Sequence, residues 1–76
     1  PAPDIFLAAA EGVGADIRRC IGIEDAAAGV TAIKAAGSLP IGVGKAEDLG
    51  SDIALVSGTS ELTYTYLQTV WEQSGR

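Results

Sequence analysis

The chain has 76 residues, which allows one small domain, and a domain of this size buries only about 60% of its unfolded surface. Ten acidic and five basic residues give a net charge of −5, which argues against binding to a nucleic-acid backbone, since such proteins need clustered Lys and Arg. The chain has no histidine, which excludes Ser-His and Cys-His catalysis within it, and its single cysteine, Cys20, excludes an internal disulfide framework.

The first predicted element is a helix that begins near Asp4, where an acid complements the positive end of the helix dipole. Pro3 suits its first turn, and Gly14 suits its far end. One face of this helix is apolar, through Ile5, Ala9 and Val13. The next element is a strand over residues 20–23, which is apolar throughout, as is typical of a parallel strand covered on both faces.

A second helix is predicted because apolar residues keep helical spacing as far as a glycine that can end it: Ala26, Val30, Ile33 and Gly37. Lys34 lies in its last turn, where a cation is favoured. Residues 39–43 are predicted to form a second strand, with Pro40 tolerated near its start or at a sheet edge. A single helical turn over residues 45–49 follows.

The third strand is predicted over residues 53–56. A last helix is predicted to begin near residue 60, with Thr59 or Ser60 as its N-cap and Glu61 in its first turn. The apolar stripe of this helix is expected to face inward and consists of Tyr64, Leu67, Val70 and Trp71. We interpret its aromatic residues, including Tyr66, as packing residues and not as a platform for sugar binding.

The element order α-β-α-β-β-α favours an α/β fold, with a parallel sheet of about three strands and helices on its faces. The most apolar strand, residues 20–23, is a natural centre for such a sheet. Half of the sheet is therefore expected to lie outside this chain, which leaves one sheet edge and part of the helix surface bare. An unpaired strand edge recruits other chains, so we expect a marginally stable or partner-dependent molecule.

Two adjacent acids, Glu24 and Asp25, follow the first strand, where open α/β sheets place their ligands. Two carboxylates there suit Mg²⁺, which proteins bind through one or two carboxylates together with water and substrate phosphate. The alternative is that Asp25 only caps the following helix while Glu24 lies in solvent. Spacing alone favours this alternative, because acids commonly precede helices.

Two glycine-rich segments lack the residues that nucleotide-binding motifs need. Residues 42–45 follow a strand, but a phosphate loop needs glycine at the position of Leu39 and Ser or Thr at that of Ala46. Residues 12–14 lie at the end of a helix and not at its start, so the dinucleotide motif fails as well. We interpret both segments as turns or close-packing sites, and Cys20 as a small buried apolar residue.

Three segments together resemble the carboxy-terminal part of enzymes of the haloacid dehalogenase superfamily. They are Pro1-Ala2-Pro3-Asp4-Ile5-Phe6, Gly22-Ile23-Glu24-Asp25 with Gly29, and Ala32-Ile33-Lys34-Ala35-Ala36-Gly37. Within this superfamily the β-phosphoglucomutase family is the most similar, through Leu39-Pro40-Ile41-Gly42-Val43-Gly44 and Glu47-Asp48-Leu49. The resemblance covers essentially the whole chain, whereas many sugar-phosphate phosphatases share the Glu-Asp pair alone.

The resemblance implies a Rossmann-like core in which an aspartate on the first strand takes up a phosphoryl group. It also implies that Glu24 and Asp25 hold Mg²⁺ as the cofactor. The family reaction interconverts β-D-glucose 1-phosphate and β-D-glucose 6-phosphate through a bisphosphate intermediate. A sugar phosphate is accordingly the expected partner of the complete enzyme, whereas nucleic acids and membranes are not expected partners.

Several parts of the family's site have no counterpart in this chain. The nucleophile and acid–base aspartates, the Ser/Thr phosphate-binding motif and the helical cap domain are missing, and the phosphate-binding lysine would directly precede Pro1. Ala26 stands where many relatives have serine. We therefore interpret residues 1–76 as the carboxy-terminal portion of the core domain, with no catalytic residue of its own, and expect the isolated chain to be inactive.

Three functions stay open at this point. The chain is a fragment of a β-phosphoglucomutase-like enzyme, a fragment of a sugar-phosphate phosphatase, or a noncatalytic truncated module. The module would associate through its exposed sheet edge, either with the missing amino-terminal part or with a second copy. The apolar runs are too short to cross a membrane and no signal peptide is recognisable, which favours a cytoplasmic protein.

Overall fold

A computed structural model describes residues 3–76. Within this range the helices are α1 (Asp4–Gly12), α2 (Ala27–Ala36), α3 (Ala46–Leu49) and α4 (Tyr64–Gln73). The strands are β1 (Ile21–Glu24), β2 (Leu39–Val43) and β3 (Ala54–Val56), and short 3-10 turns cover Ile17–Arg19 and Thr59–Glu61. The predicted α/β fold is confirmed, while Pro1 and Ala2 of the first resemblance segment lie outside the described residues.

The sheet is parallel throughout, in the order β1-β2-β3. Ile41 on the central strand pairs with Ile23 on one side and with Ala54 on the other. Within residues 3–76 the strand expected at the centre, β1, is therefore an edge, because no described strand lies on its outer side. The expectation of a bare sheet edge at this strand is confirmed.

The core lies between the sheet and α2. Ile33 on α2 and Ile41 on β2 are fully buried. A Cβ atom on Gly22 of β1 would lie 2.7–2.8 Å from side-chain atoms of Ile33, so only glycine lets helix and strand approach this closely. The helix ends, as predicted, at Gly37, whose left-handed backbone conformation (φ 90°) suits glycine.

The α1 helix leaves most of its predicted apolar face exposed. Its one buried residue in the described range is Ala10, whereas Ile5 is 73% exposed and Val13 is 80% exposed. The contacts of α1 are with α2 and with the turn Ile17–Arg19. Ala9 and Val13 of the predicted apolar face border a shallow pocket with Ile17. The exposure of Ile5 and Val13 agrees with the expectation that part of the helix surface is bare.

The last helix begins three residues later than the sequence suggested. Thr63 is its N-cap, and the Thr63 hydroxyl accepts a hydrogen bond from the Tyr66 backbone N–H at 3.1 Å. Tyr64 is 80% exposed, so the predicted inward stripe is wrong at this residue, while Leu67 and Trp71 are half-buried. No helix in the described part of the chain combines the length and the apolar character that a membrane span requires.

The turn before β1 changes the interpretation of the cysteine. Cys20 is half-buried and not fully buried as predicted, and its Sγ donates to the Asp16 backbone carbonyl at 3.3 Å. The Asp16 carboxylate in turn accepts a hydrogen bond from the Arg18 backbone N–H at 3.0 Å. This bond, together with the Arg18 guanidinium, lowers the pKa of Asp16.

Candidate metal and ligand site

The carboxyl ends of the three parallel strands meet at one edge of the sheet, and a cavity of about 210 Å³ opens there. Its lining comes from the end of each strand or the loop after it: Ile23, Glu24, Asp25, Val43 and Thr59. The structure therefore brings the two predicted acids together at the carboxyl edge, the position where α/β sheets bind ligands. Thr59 was interpreted from sequence only as a possible helix cap.

Glu24 has a defined position at this edge. Its Oε1 accepts hydrogen bonds from the backbone N–H groups of Asp25, at 3.1 Å, and Ala26, at 3.2 Å. Ala26 is the N-cap of α2 and has no side-chain oxygen, and Glu24 accepts from the N–H groups of this residue and of the one before it, directly ahead of the helix. The alternative that Asp25 caps the helix while Glu24 lies in solvent is wrong, because Glu24 makes these bonds and is only half-exposed.

The glycine on the first turn of α2 makes room for this acid. A Cβ atom built on Gly29 would overlap the Cγ and Cδ atoms of Glu24. Any other residue at position 29 would push the Glu24 side chain from its place. Glycine at position 29 thus has a steric role, which is separate from its helix propensity.

The donor set of the cavity fits a hard cation. Glu24 keeps Oε2 free of the two capping bonds, and Asp25 is exposed, with no described residue donating a hydrogen bond to its carboxylate. Oxygen ligands of this kind suit Mg²⁺ better than metals that prefer nitrogen or sulfur. No group of three or more metal-ligating side chains occurs among residues 3–76, so further ligands would have to come from water, substrate or other protein residues.

A tightly bonded loop closes the β3 side of the cavity. Glu61 Oε2 accepts three hydrogen bonds: from the Ser57 backbone N–H at 2.7 Å, the Ser57 hydroxyl at 2.7 Å and the Gly58 backbone N–H at 3.0 Å. The Ser57 hydroxyl, followed by the two backbone donors, lowers the pKa of Glu61. The sequence predicted Glu61 in the first turn of a helix. Its bond to the Gly58 N–H is the glutamate half of a capping box, and the other half is missing because Gly58 has no side chain.

Gly42 in β2 and Gly44 directly after it serve close packing, as interpreted. A Cβ atom on Gly42 would lie 2.8 Å from Leu55 and 2.9 Å from Leu49. Gly44 has a φ of 149° and its backbone N–H bonds the Val56 carbonyl at 2.8 Å, which joins the ends of β2 and β3. Lys45 is exposed, and its Nζ lies 3.9 Å from Glu47 Oε1.

Comparison with known proteins confirms the resemblance. The chain is 47% identical over 74 residues to β-phosphoglucomutase of Bacillus subtilis (strain 168), a match that covers 96% of this chain and 32% of that protein. A crystal structure of β-phosphoglucomutase from Clostridium difficile superimposes with a TM-score of 0.91 and 39% identity, over 97% of this chain and 33% of the other. The chain thus spans about a third of the length of these relatives.

A shorter similarity involves a plant protein. Over 36 residues the chain is 61% identical to Protein SUPPRESSOR OF QUENCHING 1, chloroplastic, of Arabidopsis thaliana, which covers 47% of this chain and 3% of that protein. No protein-family model matches the chain. The long matches to β-phosphoglucomutase therefore carry the functional argument.

Proposed function

We propose that this chain, a homologue of β-phosphoglucomutase along about a third of that enzyme, forms the part of such a mutase that holds Mg²⁺ with Glu24 and Asp25. The reaction would interconvert β-D-glucose 1-phosphate and β-D-glucose 6-phosphate through an aspartyl-phosphate whose aspartate lies outside these 76 residues. The observation that carries this proposal is the pair of acids at the carboxyl edge of a sheet that superimposes on a β-phosphoglucomutase.

The contribution of this chain is to place two carboxylates at the carboxyl edge of the sheet, with Glu24 held by hydrogen bonds. Two backbone N–H groups and the space at Gly29 orient Glu24, while Asp25 extends from the end of β1 with its oxygens free. When bound, Mg²⁺ neutralises charge between an attacking carboxylate and the phosphoryl oxygens. A charge preorganised in this way needs no rearrangement during the reaction.

Two surfaces of the described residues are open to further packing. The outer edge of β1 has no partner strand among residues 3–76, and Ile23 on that strand is 43% exposed. Ile5 and Val13 on α1 are also largely exposed. We propose that the remaining part of the enzyme covers this edge, supplies the nucleophile and completes the metal site, so that the isolated chain is inactive. A cytoplasmic location is part of this proposal.

Two other functions would use the same residues. A sugar-phosphate phosphatase would need the same pair of acids and would pass the phosphoryl group to water instead of a sugar hydroxyl. A noncatalytic module is favoured by one observation, the open β1 edge, which can pair with a second copy of the chain. The module would form an oligomer without needing a metal.

The proposal can be tested with a chimera in which this chain replaces the matching segment of the Bacillus subtilis enzyme. We expect the folded chimera to convert β-D-glucose 1-phosphate to glucose 6-phosphate with Mg²⁺, and the isolated chain to convert none. Release of inorganic phosphate without glucose 6-phosphate would indicate the phosphatase instead. A folded chimera without either product, or turnover by the isolated chain, would contradict the proposal.

A further inference from the structure

The side chains that line the cavity at the carboxyl edge offer more hydrogen-bond acceptors than donors. Glu24 and Asp25 offer carboxylates, which accept hydrogen bonds when ionised, and Ile23 and Val43 offer none. The hydroxyl of Thr59 is the one side-chain donor among the described lining residues. A phosphate ester presents oxygens that accept hydrogen bonds, and beside a Mg²⁺ ion held by the two carboxylates the Thr59 hydroxyl is the one described lining side chain that can donate to them.

The backbone around Thr59 is fixed on both sides. The Gly58 carbonyl accepts from the Glu61 N–H at 3.2 Å, and the Thr59 carbonyl accepts from the Leu62 N–H at 3.1 Å. The Glu61 carboxylate then reaches back to bond the N–H groups of Ser57 and Gly58. Thr59 therefore lies in a turn that is held by two backbone hydrogen bonds and by the Glu61 carboxylate.

The turn is also tied to the rest of the cavity. Ser57 directly follows Val56, whose carbonyl accepts the Gly44 N–H at 2.8 Å. Gly44 in turn directly follows Val43, which lines the same cavity as Thr59. The bonds of the Glu61 carboxylate to Ser57 and Gly58 thus hold the backbone directly before Thr59, close to the strand ends.

We propose that Thr59 is a ligand-binding residue whose hydroxyl donates a hydrogen bond to a phosphate oxygen of the bound sugar phosphate, and that Glu61 is the positioning residue that holds it there. This inference rests on the proposed function, because it assigns a further contact to the same ligand. It also explains why an exposed loop carries three hydrogen bonds to one oxygen atom.

The experiment uses the chimera described above and the variants Thr59→Val, Thr59→Ser and Glu61→Ala. Loss of a hydrogen bond to a charged group predicts a rise in KM for β-D-glucose 1-phosphate of about tenfold or more in Thr59→Val. Thr59→Ser keeps the hydroxyl and should stay within about threefold of the parent chimera. Glu72→Ala, on the exposed side of α4, is the matched control for removal of a glutamate.

A double variant separates positioning from general structural damage. If Glu61 acts through Thr59, then Glu61→Ala should raise KM on its own, and should raise it no further when Thr59→Val is already present. A multiplicative effect of the two substitutions would overturn the assigned role of Glu61. On the isolated chain, Glu61→Ala should also speed hydrogen exchange of the Ser57 and Gly58 amides. Unchanged exchange of these amides would likewise overturn the assigned role of Glu61.

The failures of the two proposals are distinguishable. An active chimera in which Thr59→Val leaves KM unchanged overturns the assignment of Thr59 and leaves the proposed function standing. A folded chimera with no mutase activity overturns the proposed function, and the assignment of Thr59 falls with it.

Discussion

The side chain of Glu24 fills the space that Gly29 leaves by having no Cβ atom. Glu24 ends β1, whereas Gly29 lies on the first turn of α2, so strand end and helix start fit together through this pair. The same carboxylate accepts the N–H groups of Asp25 and Ala26. Glycine at position 29 therefore allows the Glu24 carboxylate to bond the Asp25 and Ala26 amides and to face the cavity at the same time.

A methyl group at position 29 should disturb this arrangement. In Gly29→Ala the new Cβ would displace Glu24, so the Asp25 and Ala26 amides should lose their acceptor and exchange hydrogen faster, as measured by NMR. Gly12→Ala is the matched control, because a Cβ there meets no atom within 4 Å. On helix propensity alone both substitutions would be neutral or stabilising, by up to about 1 kcal/mol. Unchanged exchange in Gly29→Ala would contradict the steric role of Gly29.

Close packing of β1 on α2 makes Gly22 sensitive to size. In Gly22→Ala the added Cβ would press on the fully buried Ile33, and overpacking of this kind costs about 1–3 kcal/mol of the free energy of unfolding. Ile33→Val removes one of the atoms involved and should partly restore stability when combined with Gly22→Ala. Urea denaturation of the chain measures both effects. If Gly22→Ala and Ile33→Val lower the free energy of unfolding by fully additive amounts, the two residues do not compete for space.

Acid should weaken the fold through two exposed carboxylates. The Lys34 ammonium, 2.6 Å from Asp52, lowers the pKa of Asp52, and the Ser57 hydroxyl lowers that of Glu61. Because both groups hold protons less tightly when folded, the unfolded state takes up more protons as the pH falls. Their stabilising contribution is therefore complete above pH of about 4 to 5 and is lost as the pH falls through the folded pKa values.

The corresponding measurement is the Tm between pH 7 and pH 3. We expect the Tm to fall on acidification and the decline to be shallower in the variant Asp52→Asn/Glu61→Gln. High salt should reduce the difference between the two proteins, since exposed ion pairs are screened. A decline of equal slope in both would refute this origin of the pH dependence.

The isolated chain should be marginally stable or should associate. Ile5 and Val13 are largely exposed, and the β1 edge offers unpaired backbone groups. Ile23→Lys on that edge should reduce association, because lysine on an edge strand discourages further pairing. Sedimentation velocity and thermal unfolding report both properties. Cooperative unfolding of a monomer above the mesophilic range of about 45–65 °C would argue against an incomplete fold.

The sequence predicted those elements whose signals are local. The spacing from Val30 to Ile33, followed by Gly37, located α2 correctly, and β2 lies at residues 39–43 as expected. The burial of Ala10 on α1 could not be predicted in this way, because periodicity shows that a helix has an apolar face but not which elements are present to cover it. The edge position of β1 in the described sheet was likewise not predictable from local signals, because the strand order depends on pairing between segments distant in the sequence.

The candidate site was predictable in its composition but not in its contacts. The position of Glu24 and Asp25 after an apolar strand was sufficient to locate them at the carboxyl edge. The hydrogen bonds of Glu24 to the Asp25 and Ala26 amides depend on its packing against Gly29. Gly29 becomes a neighbour of Glu24 only when α2 folds back along β1. The loop that Glu61 closes depends on a carboxylate folding back over three residues, a contact that competes with the helix start predicted there.

Our main proposal is that Glu24 and Asp25 hold the magnesium ion of a sugar-phosphate mutase. Its most direct test is the magnesium dependence of turnover by the chimera, compared with that of its Asp25→Asn variant. We predict that Asp25→Asn raises the Mg²⁺ concentration needed for half-maximal rate by at least about tenfold, with folding unchanged by circular dichroism. An Asp25→Asn chimera with the magnesium dependence of its parent would contradict the claim.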